Sequence, residues 1–325
     1  MTATPFETRP VDRVAVVGSG YMGGGIAQVL ALAGTDVVLG DVDAERAEAA
    51  RTRLIEEARA FTAAGLFADS SAETLEQRLS AAASVEDAVT GADYVAEAVF
   101  ETREVKKDAL ERVSKAAPDH AIIGTNTSAI PIAELALSVR GPERFLGVHW
   151  MNPAPFIPGV ELIAHEGTAP EVVDAAERLI RDAGKVPARV ADAPGFVANR
   201  LQFALYKEAV KVVEEGLATP EQVDLVVSNA FGFRLALFGP FAIGDMAGLD
   251  VYHASYGSLE AKYGSRLSAP ESLTALVEDG NLGLKTGHGF LDIDPEKKAE
   301  LLAYRDRAYA ALSALRRELG PAPGL

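Results

Sequence analysis

Val14-Ala15-Val16-Val17-Gly18-Ser19-Gly20-Tyr21-Met22-Gly23 is the stretch that decides how this chain folds. A short apolar run leads into Gly-x-Gly-x-x-Gly, and an amphipathic segment follows through Ile26, Val29, Leu30 and Leu32. The glycine pattern takes its meaning from that context, because the motif needs a strand before it and a helix after it. Gly18 permits the tight turn. Gly20 has no side chain to keep a pyrophosphate off the backbone, and Gly23 lets helix and strand pack closely. The helix N-terminus offers unpaired N–H groups and a partial positive charge to the phosphates. Tyr21 and Met22, inside the turn, count with the three glycines as candidate cofactor contacts. A second strand, Asp36 to Gly40, ends at Asp41. That acid lies roughly 20 residues past the glycines, where a carboxylate accepts hydrogen bonds from an adenosine ribose. A 2′-phosphate there is repelled, and no Arg follows Asp41 directly, so the expected cofactor is NAD rather than NADP.

The chain has 325 residues, long for one domain and suited to two. Hydrophobic residues make up 48%, enough for a sizeable core. A net charge of −16 repels phosphates, which argues against a nucleic-acid or anionic-membrane partner. There are no cysteines, so disulfides, Cys-ligated metals and thiol nucleophiles are excluded. The first ten residues hold no apolar leader core, and no run approaches about 18 apolar residues. A soluble, cytoplasmic protein is expected.

Beyond Asp41, an alanine-rich charged stretch over 44–64 is helical by periodicity, with Leu54, Ile55, Ala58 and Phe61 on one side. Gly65 interrupts it, and 72–79 reads as a second helical piece. The pair has the look of a helical hairpin inserted into the nucleotide-binding unit. It suits either a solvated helix pair or a substrate-binding role. The sheet resumes at 94–100, before Glu101. A helix follows over 104–117, then a strand over 121–124 and the polar turn Thr125-Asn126-Thr127-Ser128. A short helix over 130–137, a strand over 145–148 ending on His149, a strand over 160–163, a helix over 170–183 and a strand over 186–190 complete the alternation. Strands and helices alternating at these spacings predict a doubly wound, mostly parallel sheet, with ligands beyond the carboxyl ends of its strands. Asp192-Ala193-Pro194-Gly195 breaks the pattern, and the domain boundary is expected near Ala191. Helices are expected over 196–215, 220–230, 240–263 with a break near Gly248, 270–279 and 294–319. The first is apolar on much of its surface and must bury it, in a core or a subunit interface.

These landmarks, in this order, resemble the L-3-hydroxyacyl-CoA dehydrogenase family, over about residues 12–292. The resemblance rests on the glycine turn 18–23, on Asn126-Thr127-Ser128 and on His149-Trp150-Met151-Asn152-Pro153. It continues in Glu161, in 192–200, in Gly239-Pro240-Phe241 and in Lys285-Thr286-Gly287-His288-Gly289-Phe290. It implies a Rossmann-type α/β domain over 1–191 carrying the inserted helical hairpin. An all-α domain for substrate and dimerisation then covers 192–325. The implied activity is NAD-linked oxidation of a 3-hydroxyl to a ketone by a homodimer. The family's catalytic pair falls on His149 and Glu161, and its substrate-polarising residues on Ser128 and Asn199. Its cofactor-site acid and lysine fall on Glu101 and Lys106, with Asn126 on the cofactor side.

The chemistry needs such residues. Hydride leaves a secondary alcohol only as its O–H proton is removed, and histidine suits a base near neutral pH. A carboxylate on the other ring nitrogen fixes the tautomer and stabilises the imidazolium. Hydrogen bonds from Ser128 and Asn199 meet the substrate oxygen where negative charge develops during ketone reduction. No residues suggest a metal site.

Two departures bear on the substrate. Thioester-using members carry basic residues in the inserted hairpin. Here Arg51, Arg53 and Arg59 are diluted by Glu45, Glu48, Glu56 and Glu57. The segment Gly232-Phe233-Arg234-Leu235-Ala236-Leu237-Phe238-Gly239-Pro240 is longer than the usual link and resembles relatives acting on small free acids such as gulonate or carnitine. An Arg fork at 234 suits a carboxylate. The readings are therefore a dehydrogenase of a CoA or carrier-protein thioester, the same step on a free 3-hydroxy acid, or a nucleotide-binding protein without catalysis. The intact set Ser128, His149, Glu161 and Asn199 argues against the last.

Overall fold

The computed structural model describes residue 6 and residues 8–324. They divide into two compact units, one ending at Leu205 and the other beginning at Tyr206.

The first unit is built on eight strands: β1 (Arg13–Val17), β2 (Asp36–Gly40), β3 (Leu79–Ala81), β4 (Tyr94–Glu97), β5 (Ile122–Thr125), β6 (Phe145–Trp150), β7 (Gly159–Ala164) and β8 (Val186–Ala191). Their order across the sheet is β3-β2-β1-β4-β5-β6-β7-β8. All neighbours are parallel except β6 and β7. The helices are α1 (Tyr21–Leu32), α2 (Ala44–Ala63), α3 (Ser71–Arg78), α4 (Val85–Val89), α5 (Arg103–Ala116), α6 (Ile132–Ala136) and α7 (Pro170–Asp182). Successive strand residues point to opposite faces, and both faces are covered, which is why β1 is apolar from Val14 to Val17. Val14 and Val16 join one core with Ile26, Leu30 and Leu54, whereas Ala15 and Val17 join the other with Leu110 and Ile123. The order reverses between β1 and β4, and ligands of such sheets bind at that switch point.

The second unit is helical. Helix α8 (Ala198–Glu214) runs through the division. Then come α9 (Pro220–Asn229), α10 (Phe231–Leu235), α11 (Pro240–Ala247), α12 (Leu249–Tyr263), α13 (Glu271–Glu278) and α14 (Lys298–Leu319). The break expected near Gly248 is present, at φ 103°, a conformation that favours glycine. Fully buried Asp245 accepts N–H groups from Phe290 and Leu291 and so holds the glycine turn of 285–290. No described helix is long and apolar enough to cross a membrane.

Three elements escaped the sequence reading: β3, α4 and α10. Each is three to five residues long, too short for a periodicity to declare itself. The hairpin does return to the sheet, because β3 pairs in parallel with β2 directly after α3. His149 also sits inside β6 rather than past its end.

Candidate active site

The glycine turn is packed so tightly at Gly18 and Gly23 that glycine is obligatory at both. A Cβ on Gly18, at φ +91°, would lie 2.7 Å from the Ala98 carbonyl oxygen, and one on Gly23 would lie 1.9 Å from the Gly18 oxygen. Gly20, by contrast, has no neighbour within 4 Å of where its Cβ would be, which leaves its backbone open to a phosphate. Asp41 closes the turn from β2. Its Oδ2 accepts Ser19 N–H at 2.8 Å and Ser19 Oγ–H at 2.5 Å, and its Oδ1 accepts Val42 N–H at 2.8 Å. Burial pushes this carboxyl up, but the Ser19 and Val42 hydrogen bonds and the Arg46 charge outweigh it, so it sits below the usual range.

On the far side of the switch point, Glu101 gathers the turn after β5. Its Oε1 accepts Thr127 Oγ1–H at 2.6 Å, Ser128 N–H at 2.8 Å and Ala129 N–H at 3.2 Å. Burial again raises this carboxyl, and Thr127, Lys106 and the two backbone N–H groups bring it below its ordinary value. Both carboxylates therefore stay ionised to lower pH than free side chains. What they hold is lost only as pH falls through those lowered values.

Lys106 was expected at the cofactor. It is instead buried, and its Nζ meets Glu97 Oε1 at 2.8 Å and Glu101 Oε2 at 3.4 Å. Glu97, also buried, takes Val99 N–H on the same oxygen and Thr125 Oγ1–H on the other. The sequence reading passed over Glu97, whose apolar strand neighbours gave no signal of a buried charge. Asn126 Oδ1 accepts Trp150 N–H at 2.8 Å and ties the end of β5 to the end of β6.

His149 and Glu161 stand directly opposite each other across β6 and β7. His149 Nδ1 lies 2.8 Å from Glu161 Oε2, both side chains being buried. Glu161 Oε1 accepts the Val197 and Ala198 N–H groups at 3.0 and 2.9 Å, so the carboxylate is pinned from two sides. With a carboxylate at Nδ1, that nitrogen carries the proton, as inferred from its partner. Nε2 has no partner among the described residues. Phe196 packs against the imidazole, ring centroids 5.6 Å apart. Asn199 Nδ2 donates to the Ser128 carbonyl at 3.0 Å. Ser128 does not cap α6, whose Ile132 and Ala133 N–H groups go to Asp192. Asp192 thus anchors the segment that follows Ser128, a role not read from the sequence.

One cavity of about 790 Å³ gathers these groups. Gly18, Gly20, Tyr21, Met22 and Asp41 line it together with Glu101, Asn126, Ser128, His149 and Asn199. Val42, Arg46, Phe100 and Gln202 are also among the lining residues and were not foreseen. Gly23 acts from beneath the turn, Lys106 from behind Glu101. Arg234 belongs to the second unit, on α10, where it is half-buried and its guanidinium has no hydrogen bond or ion pair among the described residues. A second cavity, about 780 Å³, opens at the N-terminal ends of β1 and β2 and holds none of the candidate residues. Among the described residues no cluster of His, Asp or Glu is placed to hold a metal ion.

The sequence and the fold have counterparts among known proteins. The family model for the NAD binding domain of 3-hydroxyacyl-CoA dehydrogenase matches residues 13–193, and that for its C-terminal domain matches residues 195–293. The 5-formyl-3-hydroxy-2-methylpyridine 4-carboxylate 5-dehydrogenase of Mesorhizobium japonicum is 36% identical over 303 residues, 93% of this chain and 97% of that protein. A probable 3-hydroxybutyryl-CoA dehydrogenase of Bacillus subtilis is 35% identical over 289 residues, 87% of this chain and 98% of that one. The crystal structure of a 3-hydroxyacyl-CoA dehydrogenase from Archaeoglobus fulgidus matches with TM-score 0.77 and 33% identity, covering 95% of this chain and 99% of that one.

Proposed function

Since the chain belongs to the 3-hydroxyacyl-CoA dehydrogenase family, we propose that it oxidises the 3-hydroxyl of an L-3-hydroxyacyl substrate to the 3-keto compound, as the CoA thioester. It is an NAD-dependent dehydrogenase acting on a CH–OH group. His149, on the wall of the cavity that also holds the glycine turn, and its 2.8 Å pairing with Glu161 behind it carry this reading. The open backbone at Gly20 and the ionised Asp41 fit a dinucleotide. NAD, when bound, supplies the hydride acceptor. His149 Nε2 takes the hydroxyl proton as hydride departs. Glu161 keeps the proton on Nδ1 and stabilises the imidazolium. Ser128 and Asn199 hold the substrate oxygen by hydrogen bonds. Glu101, with Lys106 behind it, sets the Ser128 turn beside the cofactor, and Asn126 fixes the strand ends. The sheet domain is taken as 1–191 and the helical domain as 192–325. The test follows NADH absorbance with L-3-hydroxybutyryl-CoA, then with free 3-hydroxybutyrate, gulonate and carnitine.

A specific observation favours the free acid as a second reading. Three hairpin arginines, Arg51, Arg53 and Arg59, are committed. Arg51 donates to the Leu79 and Glu76 carbonyls, Arg53 to the Ser19 carbonyl and Glu57, and Arg59 to the Glu76 carboxylate. None of these three is left for a CoA phosphate, whereas Arg234 has no acid partner among the described residues. On this reading Arg234→Met removes a charge-assisted hydrogen bond and lowers efficiency toward a free acid roughly 10- to 150-fold. A thioester has no carboxylate there, and its efficiency stays within about twofold. Each variant is measured on each substrate type. An unaffected free acid removes the second reading.

Homodimerisation through the helical domain is supported by α8, which exposes Leu201 (55%), Phe203 (62%) and Tyr206 (68%). An apolar patch of this kind calls for a covering partner. Light scattering at micromolar concentration is expected to give the mass of a dimer. The mass of a monomer overturns this.

A further inference from the structure

Helix α2 carries four arginines, and three of them spend their guanidinium groups on the fold. Arg46 does not. Its guanidinium makes no hydrogen bond among the described residues. Its nearest acid is Asp43, at 3.9 Å, with the two side chains 69% and 55% exposed. An exposed pair at that distance is weak and exchanges readily with solvent. Arg46 nevertheless lines the same cavity as Asp41 and Val42, one turn into the helix that follows β2. Its charge is felt at the Asp41 carboxylate.

Asp41 itself is rigid. Ser19 and Val42 fix both of its oxygens at the end of β2, where the ribose of a bound dinucleotide is read. A 2′-phosphate would have to share that position with a fixed negative charge. An Arg fork a short distance away is the side chain that accommodates a 2′-phosphate in this type of fold. The carboxylate and the guanidinium therefore pull cofactor choice in opposite directions, and the carboxylate is the one fixed in place.

We propose that Arg46 is a latent receptor for a ribose 2′-phosphate, kept out of use by Asp41, so that the NAD preference of this chain rests on one carboxylate. The inference rests on the dinucleotide site proposed above, and its test needs no substrate. NADH and NADPH are titrated against the full chain by their fluorescence. The wild-type protein is expected to bind NADH and to bind NADPH far more weakly. Asp41→Asn keeps an acceptor for Ser19 and removes the charge. NADPH affinity should rise about 10- to 100-fold, the range of one charge-assisted hydrogen bond together with relief of repulsion. Asp41→Asn combined with Arg46→Met should lose most of that rise. Circular dichroism checks the fold, and Asp41→Ser serves if the Asn variant disturbs the glycine turn. In the otherwise wild-type chain, where Asp41 keeps the guanidinium out of use, Arg46→Met should change NADH and NADPH affinity by no more than about twofold. The proposal is overturned by a gain in NADPH binding that survives loss of Arg46. It is equally overturned by no gain in Asp41 variants that still bind NADH. A wild-type chain that binds neither dinucleotide contradicts the proposed site instead.

Discussion

His149→Ala is expected to lower turnover by roughly two to four orders of magnitude, the contribution of a positioned general base. NADH binding should persist, because the glycine turn and Asp41 hold together without the imidazole. The size of the loss follows from the surroundings of the ring. Its Nδ1 is engaged by Glu161 and its Nε2 has no partner among the described residues, so the ring's free basic nitrogen is gone once the imidazole is removed. Near-normal turnover in the variant, measured by NADH absorbance, sinks the mechanism.

Glu161→Gln is informative for a reason that only the structure supplies. Oε1 already accepts two backbone N–H groups, from Val197 and Ala198. An amide at this position keeps its oxygen there and turns its NH₂ toward His149. That places a donor at Nδ1, drives the ring proton to Nε2 and removes the lone pair the reaction needs. The loss should fall in the same range as for His149→Ala. Glu161→Ala, which leaves Nδ1 free to keep its proton with water, should lose less. The reverse order of the two variants contradicts the tautomer argument.

Local signals in the sequence announced the nucleotide half of the site. Gly18, Gly20, Gly23 and Asp41 act through backbone space and short-range turns, so their spacing carries their meaning. The pairing of His149 with Glu161 is different in kind. It depends on β7 turning back antiparallel to β6, which brings residues twelve apart face to face. A strand's direction is set by its neighbours in the sheet, so periodicity alone cannot show it. The resemblance placed Glu101 and Lys106 together at the cofactor, but the third member of their cluster, Glu97, lies on a strand whose other residues are apolar and so gave no sign of itself. For α8, the apolar pattern predicted burial, yet its large side chains are exposed in the single chain. The dimer proposed above would bury such a face, and one sequence describes only one molecule.

The largest expected loss of stability is that of Lys106→Met. Lys106 is 1% exposed and Glu97 is fully buried, 2.8 Å apart. Replacing the cation by an apolar side chain of similar length keeps the packing and leaves the Glu97 carboxylate in the core without its counter-ion. An uncompensated buried charge of this kind costs about 3–5 kcal/mol. Glu101 contributes little to the loss, since its carboxylate is partly exposed and water screens it. For a unit of roughly 200 residues this corresponds to a fall in Tm of about 6–20 °C, read by thermal denaturation. The control separates charge from packing. Adding Glu97→Gln to Lys106→Met removes the stranded charge while keeping an amide able to accept Val99 N–H and to donate to Thr125 Oγ1, the two other partners of Glu97. About 2 kcal/mol or more of the loss should return, as coupling between adjacent members of one network allows. A double variant no more stable than Lys106→Met means that the lysine acts by filling space and that the buried ion pair is not what holds β4 to α5.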